Sequence, residues 1–194
     1  MSDILLHEVK GKSEIITFNN PNKLNVLSDE MLELLLNALE KSSSNPKTKV
    51  VIIKSTGKAF CAGHDLKEMQ NARINSDDGI GYFKDLFKRC SKVMLKIKNL
   101  PKPVIAEVQG IATAAGCQLV ATCDIAIASK NASFGVNGVN IGLFCSTPMV
   151  ALSRNIGRKK TFEMLVTGDF LTANDAKEAG LVNHVTEENE LSKK

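Results

Sequence analysis

Apolar and β-branched residues fall into short runs separated by polar breakers, and the runs alternate in character along the chain. Ile15–Phe18 is a β-type run that stops at the breaker cluster Asn19-Asn20-Pro21-Asn22. Ser28 offers an N-cap, with Asp29 and Glu30 in the first turn of a helix. The Leu-rich segment Met31–Leu39 is apolar almost all round, which predicts that this helix is buried. After Asn45-Pro46, Val50–Ile53 is a continuous β-branched run, the pattern of a parallel strand covered on both faces. Phe83–Ile97 has helical spacing, Pro101 and Pro103 punctuate, and Val104–Val108 predicts a strand. Gly110–Gly116 is a small-residue turn leading into a helix through Leu119 and Val120, with a strand at Ile125–Ala128. Met149–Arg154 and Thr161–Val166 read as helical, Thr172 caps a helix that ends at Gly180, and Leu181–Val185 reads as a short final strand. This alternation predicts an α/β fold of repeated right-handed ββα or βαβ turns. It forms one core domain, residues 1–185, followed by a polar tail, 186–194, expected to fray.

Composition narrows the picture without redirecting it. With 194 residues, 43% hydrophobic and 24% charged, the chain has ordinary globular proportions and enough length for a substantial core. The net charge of +4 mildly favours anionic ligands. The densest basic stretch carries Lys84, Lys88, Arg89, Lys92, Lys96 and Lys98. With Phe83, Leu86, Phe87, Val93, Met94 and Ile97 opposite, it reads as the solvated side of an amphipathic helix; contact with a phosphate-bearing ligand or RNA is the alternative. One Tyr and no Trp leave little stacking surface for single strands, so no nucleic-acid partner is expected. No apolar run is long enough to span a bilayer, and no membrane partner is expected. Met1–Lys12 has the character of neither a signal nor a transit peptide. The default expectation is a cytoplasmic protein, or a mitochondrial one if an upstream transit peptide has been removed. Cys61, Cys90, Cys117, Cys123 and Cys145 form no C-x-x-C pair, and His7, His64 and His184 are dispersed. Free buried thiols and no metal site are therefore expected.

Chemistry concentrates in three stretches: Lys58–Met69, Gly110–Asp124 and Phe134–Pro148. The first two place small residues directly after a strand, at the start of a helix. There main-chain N–H groups are unpaired and lie at the positive end of the helix dipole, and small side chains let a ligand oxygen approach. Two such turns facing each other would make an oxyanion hole from backbone alone; the alternative is a pair of turns that merely permit packing. Nucleotide-binding patterns fail: Gly11-Lys12-Ser13 has Leu6 where a P-loop needs glycine, and Gly110–Gly116 lacks G-x-G-x-x-G.

Ala59-Phe60-Cys61-Ala62-Gly63-His64-Asp65-Leu66-Lys67-Glu68-Met69 resembles the "A-F-x-A-G-x-D-L-x-E-M" segment of the enoyl-CoA hydratase/isomerase (crotonase) superfamily. Lys102–Ala106 through Gly110, the Ala-Gly-Cys turn and Cys123-Asp124 resemble its second signature, and Asn20–Leu27 its early "R-P-x-x-x-N-A-L" element. Gly142-Leu143, Thr167-Gly168 and Ala176 to Val182 complete the order. The resemblance implies a spiral of ββα units, with the family's C-terminal helical segment largely absent. It also implies a homotrimer or dimer of trimers, and an acyl-CoA thioester ligand of fatty-acid or acyl-CoA metabolism. Coenzyme A would enter only as part of the substrate, with no separate cofactor. Carried over residue by residue, the N–H groups of Ala62 and Ala115 would be the oxyanion donors. Lys23, Leu24, Ala62, Gly63, His64, Asp65 and Leu66 would line the coenzyme A arm. Where hydratases carry two catalytic glutamates this chain has Gln118 and Gly138, as in a divergent hydratase-domain subgroup sharing its Ala-Ala-Gly-Cys-Gln and Gly-Leu-Phe-Cys-Ser-Thr-Pro runs. Two functions are compatible with this pattern: an enzyme with weak classical hydration, or a non-catalytic acyl-CoA-binding pseudoenzyme. His64, Asp65, Glu68, Glu107, Cys145 and Ser146 are the candidate surrogate acid/base groups for the first.

Overall fold

The computed structural model describes residues 4–193, so the extreme ends of the expected core and tail, residues 1–3 and 194, lie outside it. The chain runs β1 (Leu5–Lys10), β2 (Ser13–Phe18), α1 (Asp29–Ser44), β3 (Val50–Ser55), β4 (Ala59–Cys61), α2 (Leu66–Ala72), α3 (Ile80–Lys98) and β5 (Val104–Val108). It continues through β6 (Ile111–Thr113), α4 (Ala115–Thr122), β7 (Ile125–Ser129), β8 (Ser133–Gly135), α5 (Ser146–Leu152) and α6 (Arg158–Thr167). It closes with β9 (Leu171–Thr172), α7 (Ala173–Glu178) and β10 (His184–Thr186). A six-stranded sheet has the order β1-β2-β3-β5-β7-β10, and a four-stranded sheet the order β4-β6-β8-β9. The pairs β3/β4, β5/β6 and β7/β8 each place one strand in the large sheet and the next in the small one. The chain therefore steps between two layers while advancing one strand per turn, in keeping with the repeated turns expected from the alternation and with the ββα spiral that the resemblance implies.

The helices form where the caps and spacing require. Ser28 accepts a hydrogen bond from the Met31 amide at 3.2 Å, and Thr172 and Asp175 close a reciprocal capping box at the start of α7. α3 buries Leu86, Cys90, Val93, Met94 and Ile97 along one stripe and leaves Lys84, Lys88, Lys92 and Lys98 in solvent. α1 departs from the all-round apolar reading. Glu33, Asn37 and Glu40 lie off the buried face while Met31, Leu32, Leu35, Ala38 and Leu39 enter the core, so it packs through one face.

Two expectations are corrected. The final strand is not Leu181–Val185: Leu181 and Val182 are buried in a turn whose amides both return to the Ala176 carbonyl, and pairing begins only at His184. The polar tail does not fray over residues 188–193, which form a 3-10 turn. Leu191 is buried, Ser192 Oγ donates to Glu107 Oε1 at 2.7 Å, and Glu187 pairs with Lys130 at 2.7 Å. One apolar side chain anchors the segment.

Beneath the hairpin of β1 and β2, Glu14 is buried at 1% exposure. Burial alone would raise its pKa, but hydrogen bonds from Ser42, Thr48, His7 and Asn45 outweigh that and lower it to about 2. The Lys102 ammonium reaches the Ser42 and Asn45 carbonyls and Thr48 Oγ1 (3.0 Å), tying the end of α1 to the start of β5.

Candidate functional site

The loop before α1 is organised by one buried side chain. Asn25 accepts from the Asn20 amide and donates to the carbonyls of Thr56 and Ala59, each at 2.8 Å. Leu24 and Asn25 both take φ +53°, a conformation held by those three bonds. The loop is thereby laid against the turn after β4. The Ala62 amide donates to the Leu24 carbonyl at 3.1 Å, and the Leu27 amide to the Gly63 carbonyl at 2.7 Å. Asp65 then caps α2, accepting from the Lys67 and Glu68 amides at 2.9 and 3.4 Å, with Lys23 Nζ 3.8 Å from its other oxygen. Lys23, Leu24 and residues 62–66 thus form one continuous surface.

The start of α4 faces this turn. Ala114 has φ 50° and ψ −120°, a pair that glycine adopts freely and alanine does not, and no side chain caps the helix. Gly63 stands so close that a Cβ there would lie 3.0 Å from the Ala114 Cβ and 3.4 Å from the Ala115 nitrogen. A Cβ on Gly116 would reach 2.1 Å from the Cys61 carbonyl oxygen. Glycines at these two positions let the turns press together.

This geometry revises one expected donor. The Ala62 N–H is already donated to Leu24 and cannot also hold a ligand oxygen. The Gly63 amide faces the Cys61 thiol. The His64 and Ala115 amides have no hydrogen-bond partner among the described residues, and Ala115 is the first residue of α4, where an unpaired N–H is inherent to the helix. The paired turns therefore offer His64 and Ala115, two residues along from the expected position on the first turn.

Gln118 sits one turn further along α4, 7% exposed, and its Oε1 is buried without a partner. It contributes to the floor of a cleft of about 210 Å³ between α3, α4 and α5, with Phe87, Met94 and Leu95 on one side and Val150 and Ala151 on the other. The His64 ring meets Phe87 edge-on at 6.0 Å. Its Nδ1 lies 3.4 Å from the Leu27 carbonyl, and its buried Nε2 has no partner. Burial holds its pKa below the ordinary value, favouring neutral imidazole.

Gly138 lies in the 3-10 turn Asn137–Ile141, which Thr113 Oγ1 ties to β6 through Asn137 Oδ1 at 2.6 Å. A Cβ at this position would fall 2.3 Å from the Leu143 carbonyl oxygen and 2.8 Å from Cys145 Sγ. The space a longer side chain would need is filled by the turn itself. The other surrogates divide clearly. Asp65 is engaged as a cap, and Glu107 accepts from Ser192, with no ion pair among the described residues. Glu68 accepts from the Asp29 amide at 2.9 Å and is pushed up by burial, as is the Cys145 thiol. Ser146 is exposed at the start of α5. Asn25 and Phe87 are site-shaping residues that the sequence pattern did not single out; for Asn25 the only signal was its place in the Asn-Pro-Asn-Lys-Leu-Asn run.

A family model described as enoyl-CoA hydratase/isomerase matches residues 11–194. The chain belongs to this family. A crystal structure of an enoyl-CoA hydratase from Mycobacterium smegmatis superposes with a TM-score of 0.92 at 50% identity, covering 99% of this chain and 73% of that one. Human enoyl coenzyme A hydratase domain-containing protein 3 gives a TM-score of 0.92 at 45% identity, covering 98% and 73%. The mitochondrial enoyl-CoA hydratase domain-containing protein 3 of Danio rerio is 45% identical over 190 residues, which is 98% of this chain and 64% of the relative. The chain thus spans less than two thirds of that relative. The neighbours bear out the α/β crotonase-type fold and the hydratase-domain resemblance. The expectation of a cytoplasmic protein gains no support from relatives whose names carry the word mitochondrial. Gln118 and Gly138, expected from the resemblance to stand at the places of the two hydratase glutamates, carry an amide and no side chain.

Proposed function

We propose that this protein binds an acyl group joined to coenzyme A through a thioester, with the thioester oxygen accepting from the His64 and Ala115 amides. The observation that carries the reading is the contact of Gly63 with Ala114 and Ala115, which brings two unpartnered N–H groups into adjoining turns. Chemistry at C2 or C3 of such a thioester puts negative charge on that oxygen. Preorganised donors in a dry site stabilise it by about 3–4 kcal/mol each. Lys23, Leu24, Gly63, Asp65 and Leu66 are the proposed coenzyme A surface, and the cleft over Gln118 takes the acyl group. No cofactor beyond the substrate's own coenzyme A is proposed.

Ordinary enoyl-CoA hydration is weak on this reading. Gln118 can orient a water or a carbonyl, but its amide does not exchange protons in the working pH range, and Gly138 supplies nothing. A non-catalytic acyl-CoA-binding role is the second reading, favoured by the filled space at Gly138. For turnover, the unpartnered His64 Nε2 is the best-placed base, because burial keeps the ring neutral. A mitochondrial location accords with the relatives' names, and a homotrimer is the proposed assembly. The test is calorimetric titration with acyl-CoAs, free coenzyme A and free fatty acids, followed by mass analysis of each incubated thioester. Acyl-CoAs at 100 times their Kd should stabilise the fold by about 2.7 kcal/mol. Absence of binding by every thioester would refute the reading; binding without any mass change would select the pseudoenzyme.

A further inference from the structure

The cleft over Gln118 is apolar along its walls but not at its far end. Lys98, the last residue of α3, and Arg154, just beyond α5, complete its lining, and no carboxylate is among the residues that line it. Both side chains are exposed, and neither has an ion-pair partner among the described residues. Asn155 fixes the end of α5 against α4 by donating to the Ala121 and Ala151 carbonyls at 2.8 and 2.9 Å, which holds the backbone beside Arg154 in place. Phe87, at the His64 end, and Lys98 are separated by roughly 16 Å of helix axis. Phe87 in its lining touches the His64 ring, and the lining includes Gln118, whose buried Oε1 is unpartnered among the described residues. The cleft then runs between Met94 and Val150 and ends at two unpaired positive charges.

We infer that the acyl group this cleft selects carries an anionic carboxylate at its distal end, so that the ligand class is the ω-carboxyacyl-CoA thioesters. The inference rests on the acyl-CoA reading above and adds the identity of the acyl terminus. An alkyl chain ending in a methyl would fill the walls but leave both cations as they are. A chain ending in a carboxylate supplies the missing counter-charge. Arg154, although exposed, can bond both carboxylate oxygens at once, and such a bidentate pair is stronger than a single contact.

The experiment compares two thioesters of equal chain length, octanoyl-CoA and its ω-carboxy counterpart suberoyl-CoA, by calorimetric titration at low and moderate salt. Both are titrated against the wild-type chain and against Lys98→Gln, Arg154→Gln and the double variant. Wild type should bind the carboxy-ended ligand at least tenfold more tightly, with the ratio shrinking as salt rises. The double variant should bring the ratio to about one while octanoyl-CoA affinity holds. Cations that serve only to complement their helix ends would move the melting temperature and leave the ratio unchanged, and that result overturns the inference. Equal affinity of the two ligands for wild type overturns it while leaving the acyl-CoA site standing. Failure of both thioesters to bind overturns the site and the inference together.

Discussion

Placing a side chain at position 138 should be costly, and the cost can be worked from the packing. In Gly138→Ala the new Cβ would sit 2.3 Å from the Leu143 carbonyl oxygen and 2.8 Å from Cys145 Sγ, where ordinary contact is 3.4–4 Å. The first obstacle is backbone, held in the same turn by the Leu143 amide donating to the Gly138 carbonyl at 2.9 Å, so it cannot swing aside as a flexible side chain would. Overpacking of this kind costs about 3 kcal/mol. In a domain of this size that lowers Tm by roughly 6–12 °C. Gly157→Ala is the internal control. Nothing lies within 4 Å of its Cβ position and its φ is −54°. The poorer N-cap and the stiffer unfolded chain oppose each other, so its change should stay within about 1 kcal/mol. Scanning calorimetry of wild type and both variants decides the matter. If Gly138→Ala melts with wild type, the turn yields easily and the claim that no glutamate fits there is wrong. A marked loss for Gly138→Ala alone means hydration cannot be restored at 138 without rebuilding residues 138–145.

Three further outcomes are expected. Gln118→Glu, nearly isosteric, should raise crotonyl-CoA hydration by roughly 10²-fold through restored proton transfer; robust hydration by wild type would refute the role assigned to the missing carboxylates. Glu14, with its pKa lowered from 4.5 to about 2, contributes stability above pH 4.5 that is lost as pH falls through 2. That loss is about 3 kcal/mol, and urea unfolding across this window should show a pH dependence that Glu14→Gln abolishes. Ala114→Gly should raise stability by about 1 kcal/mol, because relief of the φ 50° torsion exceeds the added freedom of the unfolded chain; a lower denaturation midpoint would show the torsion is unstrained.

How far the sequence could be read depended on the range of the forces involved. The large sheet was legible because Val50–Ile53 and Val104–Val108 are largely apolar, continuous runs. The small sheet was not: β4, β6 and β8 are each 3 residues long, and β9 only 2, too short to carry a period. β1 was missed because Leu5–Lys10 is an edge strand with five of its six residues exposed, so it shows no alternation. The facing of the two turns came through, since small residues after strands leave a composition signal at 61–63 and 114–116. Which of their amides stay free did not. Whether an amide is free depends on where a distant carbonyl lies, and nothing in Ala62 records that Leu24 would claim its hydrogen. The room at Gly138 was equally hidden, because it is set by the path of residues 143–145.

The unpartnered N–H groups of His64 and Ala115 belong to the main chain, and this makes the site resistant to the usual genetic dissection. Truncating position 64 to alanine would strip away a ring and leave the amide where it was, while position 115 is alanine already. A scan of that kind would report the loss of the His64 ring and its contacts but say nothing of either amide, and it would show the effects of Asn25 and Gly63, whose side-chain and steric roles hold the amides in register. The side chain found at 64 therefore carries little information about whether the cradle still works. Only a change in the polymer itself, such as an ester in place of one amide, would interrogate it directly.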